Sequence, residues 1–228
     1  MSIPALSTMT EDYLKVIWKA HEWSDRGITT NEIAAELGVA ASSVSGNLGK
    51  LAREGYLDYE PYGPIRLNPR GEAVAVGMVR RHRIIETYLV EMHGYGWDEV
   101  HAEAEVLEHA ISDRLLNLWD DALGNPLQDP HGDPIPRRDG TVLRPDGRRL
   151  HALAPGETAS VLRVSDHDPD LLRYLADLGV VVGTNWRVVA KRDFAGSMTV
   201  VRLTEGAETG PATDLATVAA NSIWVSLA

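Results

Sequence analysis

Cysteine is absent from the 228 residues. No disulfide can form, no thiolate can ligate a metal, and no cysteine nucleophile exists. Any metal site must therefore use oxygen and imidazole donors, which suit Mn, Fe or Zn better than copper(I) or an iron–sulfur cluster. An excess of basic charge is missing too: 22 Lys and Arg stand against 33 Asp and Glu, a formal charge of -11. That balance argues against a protein that coats nucleic acid through bulk positive charge. It leaves room for a repressor whose basic residues face one way, and for acidity partly cancelled by bound cations. No run approaches the ~18 apolar residues of a membrane span. The opening MSIPALSTMTED has neither the basic nor the apolar region of a secretory signal. The expectation is a cytoplasmic protein with no membrane partner. Repeats and low-complexity tracts are also lacking, while a hydrophobic content of 44% is enough for packed cores.

What is present is patterned in three blocks. In the first, Thr8-Met9-Thr10-Glu11 has capping-box form and is followed by Tyr13, Leu14, Ile17 and Trp18 at helical spacing. Thr29-Thr30-Asn31-Glu32 starts a second helix through Ile33, Ala34 and Leu37, which Gly38 ends. Residues 42–55 form a third helix through Val44, Leu48 and Leu51. Tyr56-Leu57-Asp58-Tyr59 and Ile65-Arg66-Leu67 then alternate as short strands around Pro61-Tyr62-Gly63-Pro64. Helix, helix, Gly turn, helix and β-hairpin in that order predict a winged helix-turn-helix. Its second helix presents Ser42, Ser43, Ser45, Asn47 and Lys50. Small hydroxyl and amide side chains let such a helix lie deep in a major groove, while Lys50 and Arg53 reach phosphates. Arg66 and Tyr62 are the wing residues placed for backbone contacts. A protein-binding winged helix is the alternative.

From Glu72 to about Leu123 the pattern is helical, with little Gly or Pro. Ala75, Met78, Val79, Ile84, Ile85, Tyr88 and Leu89 line one helix. Val100, Ala104, Leu107, Ile111, Leu115 and Leu118 line another. Helices this apolar bury against each other or against a second subunit. Beside the second stripe, in AEAEVLEHAISD, Glu105, Glu108 and His109 stand at i, i+3 and i+4 and project from one helix face. Two carboxylates and an imidazole at that spacing can hold a divalent cation. His101 lies one turn earlier, and His82 and Glu86 repeat the i, i+4 arrangement upstream. A solvated acidic face is the alternative for any one of these groups. Asp12, near the start of the first helix, reads on its own as a partner of the helix dipole.

Between Gly124 and Pro155 the composition turns to Pro, Gly, Asp and Arg, which reads as a linker with local turns. Beyond it, Ala159–Val164, Trp186–Lys191 and Met198–Leu203 read as strands and Leu171–Leu178 as a short helix. A small β-barrel of about five strands fits.

The order winged helix, HRIIE, VHAEAEVLEHAISD, DPHGDPIP and small barrel resembles the diphtheria-toxin-repressor family of metal-dependent transcriptional regulators over nearly the whole chain. The resemblance implies a mainly α fold with a small β part. Residues 1–74 would be a winged helix-turn-helix and 75–140 a helical dimerisation and metal-binding domain, with 141–155 a linker and 156–228 an SH3-like barrel. It also implies a primary metal site of Asp12, Glu105, Glu108 and His109. A second site would use His82, Glu86 and His101, completed from the barrel segment SDHDPDLLRYL. Asp168 is the best match there, with Asp166, His167 and Asp170 as neighbours that a small shift would select. Leu171 falls where an amide ligand often sits.

Iron-sensing members carry Met at the Asp12 position and Cys at the Glu105 position. Hard oxygen donors at both make this chain resemble the manganese branch. Short regulators of that branch have a carboxylate where this chain has Lys15, and they lack the barrel. The implied function is a homodimeric repressor, activated by Mn²⁺, that binds a double-stranded DNA operator of metal-uptake genes. The alternatives are an Fe²⁺-activated repressor of the same architecture and, more remotely, a metallohydrolase that activates water.

Overall fold

A computed structural model describes residues 6–23, 26–60, 63–143 and 145–227. The wing residue Tyr62 lies outside them. The chain divides into two compact units: residues 1–82 with 136–141, and residues 83–135 with 142–228.

The first unit contains α1 (Thr8–Trp23), α2 (Thr30–Glu36) and α3 (Ala41–Arg53), then β1 (Leu57–Asp58), β2 (Arg66–Leu67) and the first half of α4 (Pro69–His93). Ser7, one residue before the expected Thr8, caps α1 by accepting from the Thr10 amide at 3.3 Å. The Thr29–Glu32 capping box forms as the sequence predicts. Gly38 turns the chain at φ +62, a left-handed conformation that favours glycine. Tyr13, Leu14, Ile17, Ile33, Val44, Leu48 and Leu51 are buried. Each full burial of an aliphatic side chain contributes roughly 1.5–3 kcal/mol, so these side chains hold a domain with little sheet together. β1 and β2 pair antiparallel, Leu57 opposite Leu67 and Asp58 opposite Arg66.

The second unit begins inside α4 and adds α5 (Val100–Leu107) and α6 (Asp113–Ala122). Ile84, Ile85, Leu89, Val100, Ala104, Leu116 and Ile135 form their shared core. The single apolar stripe expected from Val100 to Leu118 is broken. Glu108 caps α5, and Ser112 restarts a helix by accepting from the Leu115 amide. The restart rotates the register, so α6 buries Leu116 and Asp120 and leaves Leu115 and Leu118 on the surface.

The Pro/Gly-rich segment expected to be a linker is in large part a built turn. Asp129 Oδ1 accepts from the amides of His131 and Asp133 at 2.9 and 3.0 Å. Asp129 and residues 131–136 are buried. The Val164 amide donates to the His131 carbonyl at 2.9 Å, stitching the turn to the sheet domain.

That domain holds β3 (Arg148–Arg149), β4 (Thr158–Val164), α7 (Pro169–Asp177), β5 (Asn185–Arg192), β6 (Ser197–Thr204), β7 (Ala207–Ala216), α8 (Thr217–Asn221) and β8 (Ile223–Leu227). It is one antiparallel sheet of six strands in the order β3-β8-β4-β5-β6-β7, open where a closed barrel of about five was expected. β3 lies within the expected linker, and Leu150 and Leu153 just after it enter the core with Val161, Leu172, Leu175, Trp186 and Ile223. β7 escaped sequence reading because it is an edge strand whose first six residues are exposed on both faces. Alternation starts only at Thr213 and Leu215, and the exposed part tolerates Gly210 and Pro211. Among the described residues, no helix is long and apolar enough to cross a membrane.

Candidate metal centre and nucleic-acid face

Acidic and imidazole groups gather in the second unit because α4, α5, the 129–133 turn and the loop after β4 converge there. Glu105 and Glu108 lie one turn apart on α5 and its cap, with ligand oxygens within 4.8 Å of one another. His109 Nε2 is 3.5 Å from Glu108 Oε1. Glu108 is at the very end of the helix, but its φ of -60 and ψ of -28 stay helical, which preserves the one-face projection read from spacing. Asp12 is on α1 of the first unit.

Glu86 is the centre of the second group and is fully buried. His101 Nδ1 lies 3.2 Å from Glu86 Oε1 and 3.6 Å from Asp166 Oδ2, while its Nε2 lies 3.5 Å from Glu105. His82 is buried one turn before Glu86 on the same helix. The expected barrel ligand Asp168 is not part of this group. It is exposed at the N-cap of α7, where its Oδ1 accepts from the amides of Asp170 and Leu171. Asp166, two residues earlier and buried, takes its place. With proline at the first position of α7, Asp168 is the cap and its carboxylate is committed to the helix amides, while Asp166 is the carboxylate beside His101.

Two further residues went unrecognised in the sequence. Glu86, Asp129 and His131 each offer a ligand atom within 4.8 Å of the others, and all three are buried. His131 Nε2 is 2.6 Å from the Trp97 carbonyl, which can only accept, so this nitrogen carries the proton. Nδ1 then points at Glu86 Oε2, 3.7 Å away. A ring whose far N–H is held by a carbonyl is a common arrangement for a metal-binding histidine. The Asp-x-His spacing was the available signal, hidden within a composition that reads as linker.

Arginines steady this acidic turn. Arg83 Nη1 donates to the Pro134 carbonyl at 2.7 Å, and its Nε lies 3.5 Å from Asp129 Oδ2. Arg163 Nη1 meets Asp133 Oδ1 at 2.9 Å. Burial, reinforced by the Asp133 charge, pushes the Asp129 carboxyl up to about 7. Burial opposes charging of His131, but Glu86, Asp129 and Asp166 outweigh it and raise the imidazole to about 10. Without a cation, the site therefore holds protons that partly neutralise the carboxylates. A cation ligated by Nδ1 would have to displace one of them. Buried carboxylates with imidazoles and no sulfur are a donor set that fits a divalent, oxygen-preferring metal.

The predicted DNA face is in the first unit. Ser42, Ser43, Ser45, Lys50 and Arg53 are exposed on α3, and Arg66 is exposed on β2. Asn47 differs: it is half-buried, and its Nδ2 donates to Tyr13 Oη at 3.1 Å. On the helical wheel it lies about 40° from Leu51 and about 60° from Val44, on the side away from Leu48, which places it at the border of the buried face.

Three family models match. Residues 5–65 fit the iron dependent repressor N-terminal DNA binding domain, and 68–137 fit the iron dependent repressor metal binding and dimerisation domain. Residues 148–226 fit the FeoA domain. The iron-dependent repressor IdeR of Mycobacterium leprae is 32% identical over 206 residues, 84% of this chain and 87% of that protein. The diphtheria toxin repressor of Corynebacterium glutamicum is 29% identical over 192 residues, 79% and 83% of the two chains. A solved manganese-dependent transcriptional repressor in complex with manganese superposes with a TM-score of 0.91 at 47% identity. That match covers 96% of this chain and all of the other, 100%.

Proposed function

We propose, from the premise that this chain belongs to the iron-dependent (diphtheria toxin) repressor family of metal-dependent transcriptional repressors, that its activating metal is Mn²⁺. The family regulates by binding DNA and performs no catalysis, so the metal has no bond to make or break. The observation that carries the manganese reading is the donor set. Oxygen ligands stand at Asp12 and Glu105, no thiolate exists anywhere in the chain, and manganese ranks low in affinity unless ligand type and geometry favour it. The 47% identity to a manganese-dependent repressor supports it. An iron-activated repressor is the second reading, favoured by the IdeR relatives.

Asp12 on α1 would hold the ion together with Glu105, Glu108 and His109. When bound, the cation supplies an electrostatic bond between carboxylates that otherwise repel. The chain's own residues convert that bond into regulation. Asp12 commits α1 of a winged helix-turn-helix to the helices of the dimerisation domain, which limits the separations the two recognition helices of a homodimer can sample. Ser42, Ser43 and Ser45 would then meet base edges, while Lys50, Arg53 and Arg66 meet phosphates. Lys15, buried three residues after Asp12, carries its own positive charge on α1, so we expect one ion at this site. Glu86, His101 and Asp166, with His82, would hold a second ion, and Asp129 and His131 flank it. The SH3-like C-terminal domain contributes Asp166 to that site. We place the protein in the cytoplasm, with promoters of metal-uptake genes as its operators.

The test is an oxygen-free titration of operator binding with Mn²⁺, Fe²⁺ and Zn²⁺. Half-maximal binding at a manganese concentration within the range of the iron value or below it is expected. Response to Fe²⁺ with none to Mn²⁺ would favour the second reading.

A further inference from the structure

α3 divides its surface into a buried face of Val44, Leu48 and Leu51 and an exposed face carrying Ser42, Ser45, Lys50 and Arg53. Asn47 sits on the seam, three residues after Val44 and four before Leu51. Its amide is committed to the protein: Nδ2 donates to Tyr13 Oη at 3.1 Å across 34 residues of sequence. Tyr13 is 1% exposed, so its hydroxyl needs a partner inside the fold. It also directly follows Asp12 on α1. Both α1 and α3 also pack on α2. The hydrogen bond is thus a direct tie between the helix that carries Asp12 and the helix that carries the exposed serines.

We infer that Asn47 is a positioning residue: its hydrogen bond to Tyr13 sets the pose of α3 on α1, so that whatever restrains Asp12 also restrains the DNA-reading helix. This rests on the reading that Asp12 is a metal ligand and α3 the recognition helix. Turning a short amide side chain into a strut explains why an amide occupies a seam position that packing alone would fill with an apolar group. It also separates Asn47 from its helix neighbours, whose side chains are open to a partner. An amide that reads adenine presents both its N–H₂ and its C=O to one base; here one of the two N–H donors is already engaged within the protein, which fixes the direction of the amide.

Tyr13→Phe tests the tie, because it keeps the ring's packing and removes only the acceptor. A hydrogen bond of this kind contributes about 1 kcal/mol net, equivalent to about fivefold in an equilibrium. In protein freed of metal by a chelator, amide hydrogen exchange across α3 is expected to speed up about fivefold in Tyr13→Phe. At saturating Mn²⁺, operator affinity is expected to fall about five- to tenfold. Affinity for non-operator DNA and affinity for Mn²⁺ in the absence of DNA stay at parent values. The double variant Tyr13→Phe/Asn47→Ala is expected to bind the operator no more weakly than Asn47→Ala alone, since both substitutions remove the same interaction.

Loss of operator binding in Asn47→Ala with parent-like binding in Tyr13→Phe would overturn the proposal, because Asn47 would then be reading DNA itself. Multiplying losses in the double variant would overturn it as well. A lowered melting temperature in Tyr13→Phe with unchanged operator affinity would reduce the contact to a structural one and overturn it too. A parent protein indifferent to metal would instead sink the metal-activated reading. The exchange measurement and the double variant would still decide the role of Asn47.

Discussion

Glu108→Ala should abolish the manganese-induced gain in operator affinity, a loss on the order of 1–3 kcal/mol, the usual size of an allosteric coupling. Glu108 is fully buried, has an oxygen within 4.8 Å of a Glu105 oxygen, and lies 3.5 Å from His109. Removing it takes away a ligand and a desolvated negative charge together. Thermal stability in chelator should therefore hold or rise, because like-charge repulsion in the metal-free state is relieved. That combination distinguishes lost ligation from lost folding. His109→Ala should lose the manganese response in the same way. A variant at either position that responds to manganese like the parent would show that the primary site has been assigned to the wrong residues.

Gly132→Ala should be the most destabilising single change in the second unit outside its hydrophobic core. Gly132 has φ +87, and a Cβ there would lie 2.0 Å from the Leu162 carbonyl oxygen, which is backbone and has no rotamer to escape into. The left-handed conformation and the clash together should cost on the order of 3 kcal/mol. At roughly 2–4 °C per kcal/mol for a chain of this size, the calorimetric transition should fall by about 6–12 °C. The change should also loosen Asp129 and His131, which lie in the same turn, and weaken metal binding at the Glu86 group. A melting temperature within about 2 °C of the parent would contradict the view that this segment is a packed turn.

The contrast between these two positions shows what kind of signal a sequence carries. The closeness of Glu105, Glu108 and His109 was legible because helix geometry converts a spacing of three and four residues into a shared face, whatever the helix packs against. The Thr29 cap and the Gly38 turn were legible for the same reason: the signal is local. The 129–133 turn was not. Proline and glycine punctuate linkers and buried turns alike, and only the neighbouring Leu162 carbonyl and the Arg83 and Arg163 side chains determine which one forms. Asp168 was chosen over Asp166 because both precede the same helix. Only the fold shows that Asp168 caps that helix while Asp166 lies beside His101. Asn47 reads as a DNA contact because its polarity and helix suit one, and its hydrogen-bond partner within the fold, Tyr13, 34 residues away, leaves no local signal. Leu115 and Leu118 were assigned to a buried stripe that Ser112 interrupts.

The claim at the centre of this account is that metal and operator binding are coupled through one chain. The most direct test is the affinity of the parent protein for its operator, measured once in chelator and once in saturating Mn²⁺ at fixed ionic strength. Phosphate contacts alone make affinity depend strongly on salt, so the comparison needs that control. The account predicts weak, largely non-specific binding in chelator and binding tighter by about 5- to 150-fold with manganese. Equal affinity in the two conditions would contradict it, leaving a DNA-binding protein whose buried carboxylates and imidazoles serve some purpose other than regulation.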